Sequence, residues 1–140
     1  MNIPDIPSIP IIELIPQQPP FLFVARLRTY DDKASQSVFT VREGLPLPGA
    51  SLLVEHIAQT CAARIGYYNK YILHRDVLIG YIGAIRHLHI YRQPRVGEEL
   101  HTTIQELSAA FGLTLVGARV TGKGEEVIAE GEMKIALSEQ

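Results

Sequence analysis

The chain has one cysteine, Cys61, and shows no internal repeat, no low-complexity tract and no linker-like stretch. One thiol cannot close an internal disulfide. A lone cysteine in an apolar stretch reads as a small core residue of a protein held in a reducing compartment, which points to the cytoplasm. Neither sign of charge is in excess: 13 Lys and Arg stand against 15 Asp and Glu, a net charge of −2. That balance gives no general attraction to nucleic acid or to an anionic membrane, so neither is expected as a partner. Long hydrophobic runs are also missing from the opening "MNIPDIPSIPIIELIP", which lacks a positively charged first segment and is interrupted by prolines. It reads as neither a signal peptide nor a membrane span. "VTGKGEE" contains glycines but not the strand–loop–helix context of a phosphate loop, and reads as a hairpin turn.

What is present is ordinary globular composition. Hydrophobic residues make up 46% of 140 residues and charged residues 20%, which fits one domain over 1–140 with a core of its own. Ser8, Pro10 and "IIELI" suggest a short helix with Ser8 near its cap and Pro10 in its first turn. "FLFVARLRTY" and "KASQSVFTV" are rich in aromatic and β-branched residues and flank Asp31-Asp32, an opening hairpin. The loop "VREGLPLPG" leads into a helix over roughly residues 51 to 69. Then "VLIGYIGAIRHLHIY", "EELHTTIQEL", "FGLTLVGARVTG" and "EEVIAEGEMKIAL" follow as four strands in an antiparallel meander, separated by Pro94, Gly97, Gly122 and Gly124.

The helix is the informative element. In "PGASLLVEHIAQTCAARIG" the residues Leu52, Leu53, Val54, Ile57, Ala58, Cys61, Ala62 and Ile65 leave little of the circumference polar. Such a helix must be covered on most sides. With one helix and about six strands, the economical solution is α+β: a curved antiparallel sheet wrapped around one long central helix, the hot-dog arrangement. A single wrapped sheet leaves a flank of the helix and a sheet edge open, so a dimer that buries both is expected. Inside this apolar helix sit an acid, Glu55, an imidazole, His56, and an amide, Gln59.

Three stretches in order resemble the β-hydroxyacyl-acyl-carrier-protein dehydratases. "LIPQQPPFLFVARL" is similar to the opening signature L-L-P-H-R-x-P-F-L-L-V-D-R-V, matching at Leu14, Pro16, Pro20, Phe21, Leu22, Val24 and Arg26. "LLVEHIAQ" resembles the central-helix motif V-E-A-x-A-Q, whose glutamate is the catalytic acid. "GAIRHLHIYRQPRVGEEL" is similar to the strand after the active-site glycine, ending in a P-G-D-x-L type turn at Val96 to Leu100. The resemblance spans most of the chain and implies the hot-dog fold, with catalytic roles for Glu55 and Gln59 and substrate binding at Gly83, Pro48 and Gly49. The departures are equally specific. The family's G-H-F-P loop, with its catalytic histidine, corresponds here to "TVREGLPLPG", which has no histidine. The signature histidine and aspartate of the opening motif are replaced by Gln17 and Ala25. Among the branches, the chain most resembles the dehydratase-like accessory proteins of aryl-polyene and related pigment clusters, which also lack that loop.

Dehydrating a 3-hydroxyacyl thioester requires removing an α-proton, protonating the leaving hydroxyl and stabilising an enolate-like oxygen, commonly through a backbone N–H. Glu55 can fill the acid role; the helix macrodipole favours its charge and burial opposes it. Gln59, one turn on, shares its face and could orient it or a water. Gly83 offers close backbone approach to the thioester carbonyl. His56 projects about 100° from Glu55 and is expected to face the sheet or a subunit interface. His87 and His89 alternate on one strand, with His101 expected on the next, which is enough imidazole for zinc. No cysteine or carboxylate completes the set, so neither a metal nor another cofactor is expected. Arg86, Arg92 and Arg95 are candidates for docking an acidic carrier protein or a coenzyme A phosphate. Three functions stay open: a dehydratase of 3-hydroxyacyl-carrier-protein or -coenzyme A thioesters in fatty-acid or polyene-type biosynthesis, an acyl thioesterase, or a non-catalytic acyl-binding partner. For the first, a homodimer works with Glu55 and a rearranged second group, or a heterodimer with another hot-dog subunit combines Glu55 with that subunit's histidine.

Overall fold

The computed structural model describes residues 5–76 and 80–137. The opening hairpin pairs β1 (Arg26–Tyr30) with β2 (Ala34–Thr40), in the stretches whose β-branched and aromatic residues demanded it. Helix α1 (Gly49–Tyr67) follows, and a single π-helical turn, Tyr68–Ile72, continues it. Four strands complete the described chain: β3 (Gly80–Ile90), β4 (Glu99–Ala110), β5 (Leu113–Thr121) and β6 (Val127–Leu137). Val77–Ile79, the beginning of the expected third strand, lie outside the described residues.

All ladders are antiparallel, in the order β1-β2-β4-β5-β6-β3. The expected meander therefore holds for β4, β5 and β6 but not for β3. After β2 the chain crosses the sheet as α1 and delivers β3 to the far edge, beside β6, so β4 takes the open side of β2. From β3 the chain must then travel three strand spacings, about 14 Å, to begin β4. One long helix on one face of a six-stranded antiparallel sheet is the hot-dog arrangement.

Burial explains the apolar circumference of α1. Leu52, Leu53, Ile57 and Cys61 pack with Phe39, Leu100, Ile104, Val120, Ile128 and Met133 between helix and sheet. A second cluster covers another side, where Ile9, Ile11, Leu14 and Ile15 of the N-terminal segment meet Ala63 and Tyr67. The flank expected to await a partner is thus partly covered by the chain's own first residues. Gly66 permits that approach, since a Cβ there would overlap the Leu14 carbonyl. The N-terminal segment is not the single short helix its sequence suggested. It forms two 3-10 turns, Ile6–Ser8 and Ile11–Glu13. Proline forces the preceding Ile9 into extended backbone (φ −72°, ψ 123°), which separates the turns. Ser8 Oγ donates back to the Asp5 carbonyl at 2.6 Å instead of capping forward.

Candidate functional site

Glu55, His56 and Gln59 leave α1 in two directions, as adjacent helix positions must. His56 points into the core and is fully buried. Its Nδ1 lies 2.6 Å from the Phe23 carbonyl oxygen, and its Nε2 lies 2.6 Å from Thr102 Oγ1. A carbonyl only accepts, so Nδ1 carries the hydrogen, and Nε2 accepts from the threonine hydroxyl. Burial lowers its pKa from 6.5 to about 4, outweighing the Phe23 carbonyl, which favours the charged form. His56 is a neutral core histidine with both nitrogens committed, and it does not reach the Glu55 cavity.

Gln59 is buried and its carboxamide is spent on two tasks. Its Oε1 accepts from the Phe23 N–H at 2.7 Å. Its Nε2 donates to the Phe21 carbonyl at 2.9 Å and to Glu55 Oε1 at 3.0 Å. Together with His56 it clasps the irregular "PFLF" segment to the helix, satisfying both backbone polar groups of Phe23. The same amide fixes one oxygen of Glu55. Of the two tasks expected of Gln59, orienting Glu55 or orienting a water, its bond to Glu55 Oε1 fits the first, and both donors of its amide are engaged.

Glu55 is half-buried and lines a cavity of about 260 Å³ with Gln17, Ala58, Gln59, Ile65, Ile82 and Ile135, among others. A neighbouring cavity of about 380 Å³ shares the walls Cys61, Ile65 and Ile135 and extends to Tyr30, Arg64 and Tyr68. Burial pushes the Cys61 thiol up to about 12, so it offers no thiolate. Among the described lining residues of the smaller cavity, Glu55 is the one that carries a carboxyl.

The other expected site residues are dispersed. Gly83 sits in β3 at the ladder irregularity between Ile82 and Ala84, and Ile82, not Gly83, forms the cavity wall. A Cβ at Gly83 would meet nothing nearer than the Lys134 carbonyl at 3.9 Å. Pro48 and Gly49 begin α1, six or more residues before Glu55, and do not line the cavity. Gly49 (φ +28°) carries no side chain because the Gln93 amide occupies that space. Arg42 and Glu43, in the loop lacking the histidine, are exposed and outside the cavity.

His87, His89 and His101 do not converge. His87 takes φ +53° at a ladder irregularity between Arg86 and His89, and both histidines line one open pocket of about 480 Å³ with Thr103, Arg119 and Glu130. His101 on β4 is separated from β3 by β5 and β6, and pairs with Glu99 at 2.9 Å. No cluster of three metal-ligating side chains occurs among the described residues. Of the arginines, Arg92 is committed to Glu98 and Glu126, and Arg86 reaches Glu132 at 3.6 Å.

Two residues were missed as site elements. Arg64, 7% exposed, bonds from Nη1 to the carbonyls of Asp31 (2.8 Å) and Ala34 (3.0 Å) and to Ser35 Oγ (2.7 Å). It faces Glu106 at 3.7 Å and the Tyr30 ring at 4.6 Å, so it pins the β1–β2 turn beside the larger cavity. The signal was available: an arginine in an otherwise apolar helix poses the same question as Glu55. Gln17 stands in the opening motif in place of a histidine, and nothing local in the sequence marks it as a cavity wall.

Residues 9–140 match the model of the ApeP-like family, described as ApeP dehydratase. Among solved structures, the dehydratase heterocomplex ApeI:P from Xenorhabdus doucetiae contains a similar chain (TM-score 0.81, 14% identity, 95% of this chain and 93% of that one). A hypothetical thioesterase with coenzyme A from Streptococcus pneumoniae TIGR4 is similar at TM-score 0.64, with 8% identity over 82% and 86% of the two chains. The E. coli PaaI protein from the phenylacetic acid degradation operon is similar at TM-score 0.62, with 12% identity over 79% and 80%. At these identities the structures speak for the hot-dog fold. Among curated proteins none matches the chain. No helix of the described residues is long and apolar enough to cross a membrane.

Proposed function

The chain belongs to the ApeP-like dehydratase family, and from that premise we propose that it dehydrates 3-hydroxyacyl thioesters as the acid-bearing half of a two-subunit site. In this reading residues 1–140 act as one hot-dog domain in the cytoplasm. The substrate arrives on an acyl carrier protein or coenzyme A, in fatty-acid or polyene-type biosynthesis. The observation that carries the reading is the Glu55 carboxyl, held at one oxygen by Gln59 inside a cavity whose described walls offer no second acid–base group.

The chemistry follows from that asymmetry. Gln59 donates to Glu55 Oε1, which leaves Oε2 to carry a proton. A base removes the α-proton, and the electron pair of that C–H bond becomes the Cα=Cβ double bond. The Cβ–O bond breaks, and the Oε2 proton passes to the departing hydroxyl, which leaves as water. Gly83 does not itself line the cavity but adjoins its wall at Ile82, and at the irregularity in β3 it is the proposed backbone donor to the thioester oxygen. The base is the element this cavity lacks, and an imidazole from a second hot-dog subunit supplies it. The family match and the similarity to a chain of a dehydratase heterocomplex support that division.

Purified chain is given a 3-hydroxyacyl-carrier substrate, alone and with a histidine-bearing hot-dog protein. Product is followed by mass spectrometry. Enoyl thioester, one water lighter, should form only with the second protein and should vanish in Glu55→Gln with the fold intact. Free acid instead of enoyl thioester would make the chain a thioesterase, and binding without turnover a non-catalytic partner. Undiminished enoyl formation in Glu55→Gln refutes the acid role. Full activity of the chain alone refutes the shared site.

A further inference from the structure

We propose that Gln17 positions the substrate: its carboxamide oxygen accepts the hydrogen of the 3-hydroxyl group and so selects 3-hydroxyacyl thioesters over saturated and 3-oxo chains. The inference rests on the dehydratase reading of the same site and deepens it.

Gln17 Oε1 is enclosed, and no donor among the described residues reaches it. The side chain lines the Glu55 cavity. Leaving a buried amide oxygen without a hydrogen bond destabilises the fold, and such atoms are few in native structures. The other amide in the cavity, Gln59, is fully engaged with Phe21, Phe23 and Glu55. Within one cavity there is thus a carboxyl with one oxygen uncommitted and an amide oxygen awaiting a donor.

A hydroxyl has one hydrogen and two lone pairs. When the Glu55 proton goes to a lone pair of the 3-hydroxyl, the hydroxyl's own hydrogen still needs an acceptor. The Gln17 oxygen is that acceptor. As the Glu55 proton moves onto the leaving oxygen, that oxygen gains positive character and its hydrogens become stronger donors. The contact therefore tightens toward the transition state. A saturated chain leaves the amide oxygen unpaired, and a 3-oxo chain sets oxygen against oxygen. Both are rejected because the site's polar atom goes without a partner.

Binding tests this without turnover. In the full chain carrying Glu55→Gln, in the assembly it forms on purification, calorimetry compares 3-hydroxyoctanoyl-coenzyme A with octanoyl-coenzyme A. The hydroxylated ligand should bind roughly 10-fold or more tightly, and adding Gln17→Met should bring the ratio close to one. Gln17→Ala provides the same comparison if the methionine packs badly. Equal affinities before the change, no binding of either ligand, or a ratio untouched by both substitutions overturns the proposal. A preference lost on substitution, in a chain that forms no enoyl product with any partner, supports Gln17's role and removes the dehydratase reading. Enoyl formation with an unchanged preference does the reverse.

Discussion

Acid should weaken this protein through His56 before it does so through the carboxylates. The imidazole titrates at 6.5 when free and at about 4 in the folded state. Between those values the unfolded chain holds a proton that the folded chain does not, so stability falls as pH falls. Above 6.5 both states are neutral and the contribution is flat; below about 4 both are charged and no more is lost. At 1.36 kcal/mol for each pH unit of difference, the loss from neutral pH to about pH 4 comes to about 3 kcal/mol. That is a large part of the 5–15 kcal/mol that holds a typical domain together. The assay is urea unfolding followed by circular dichroism at a fixed protein concentration. Native chain and His56→Gln are compared at steps from about pH 7.5 to about 4.5. The glutamine loses the contacts to Phe23 and Thr102 at every pH, so it starts less stable, but it does not titrate. The gap between the two proteins should narrow by about 2 to 3 kcal/mol across the window. Parallel curves would show that His56 is not a buried neutral imidazole, and the account of the Phe23 clasp would fall with it.

Three further outcomes follow from the packing. Gln59→Leu leaves the Phe23 N–H without its partner and frees Glu55, so it should cost about 2 to 4 kcal/mol in urea unfolding and reduce enoyl formation. Gly66→Ala gains about 1 kcal/mol of helix propensity but drives a methyl into the Leu14 carbonyl. A net loss of stability is expected, and a rise in melting temperature would contradict the contact. Cys61, buried with its thiol pushed up to about 12, should resist thiol reagents at pH 8 until urea unfolds the chain. Rapid labelling of the native protein would place it at an open surface.

Local patterns made much of the architecture legible. Alternation marked the strands, the unbroken apolar face marked α1, and the ordered motifs led to the hot-dog fold and to Glu55 with Gln59 as neighbours. Strand order was not legible at β3, because pairing with β6 is set by where the α1 crossover delivers the chain, and no local pattern in "VLIGYIGAIRHLHIY" encodes that. For the same reason His101, expected on the strand next to His87 and His89, lies with two strands between it and theirs. The direction of His56 followed from helix geometry, whereas its partners, the Phe23 carbonyl and Thr102, depend on long-range contacts. Gln17 shows the same limit from the other side. Its position in a motif was visible, but its unpaired oxygen exists only once the N-terminal segment lies against the helix.

The clasp on Phe21–Phe23 also determines where the chain can change length. Gln59 engages the Phe21 carbonyl and the Phe23 amide, while His56 engages the Phe23 carbonyl. An insertion or deletion between Phe21 and Phe23 would present these two side chains with the wrong backbone atoms and release the amide that restrains Glu55. The exposed Lys123–Glu125 turn carries no such contacts and can lengthen at a modest entropic cost. Related chains should therefore differ in length at that turn and keep the spacing of the "PFLF" segment unchanged.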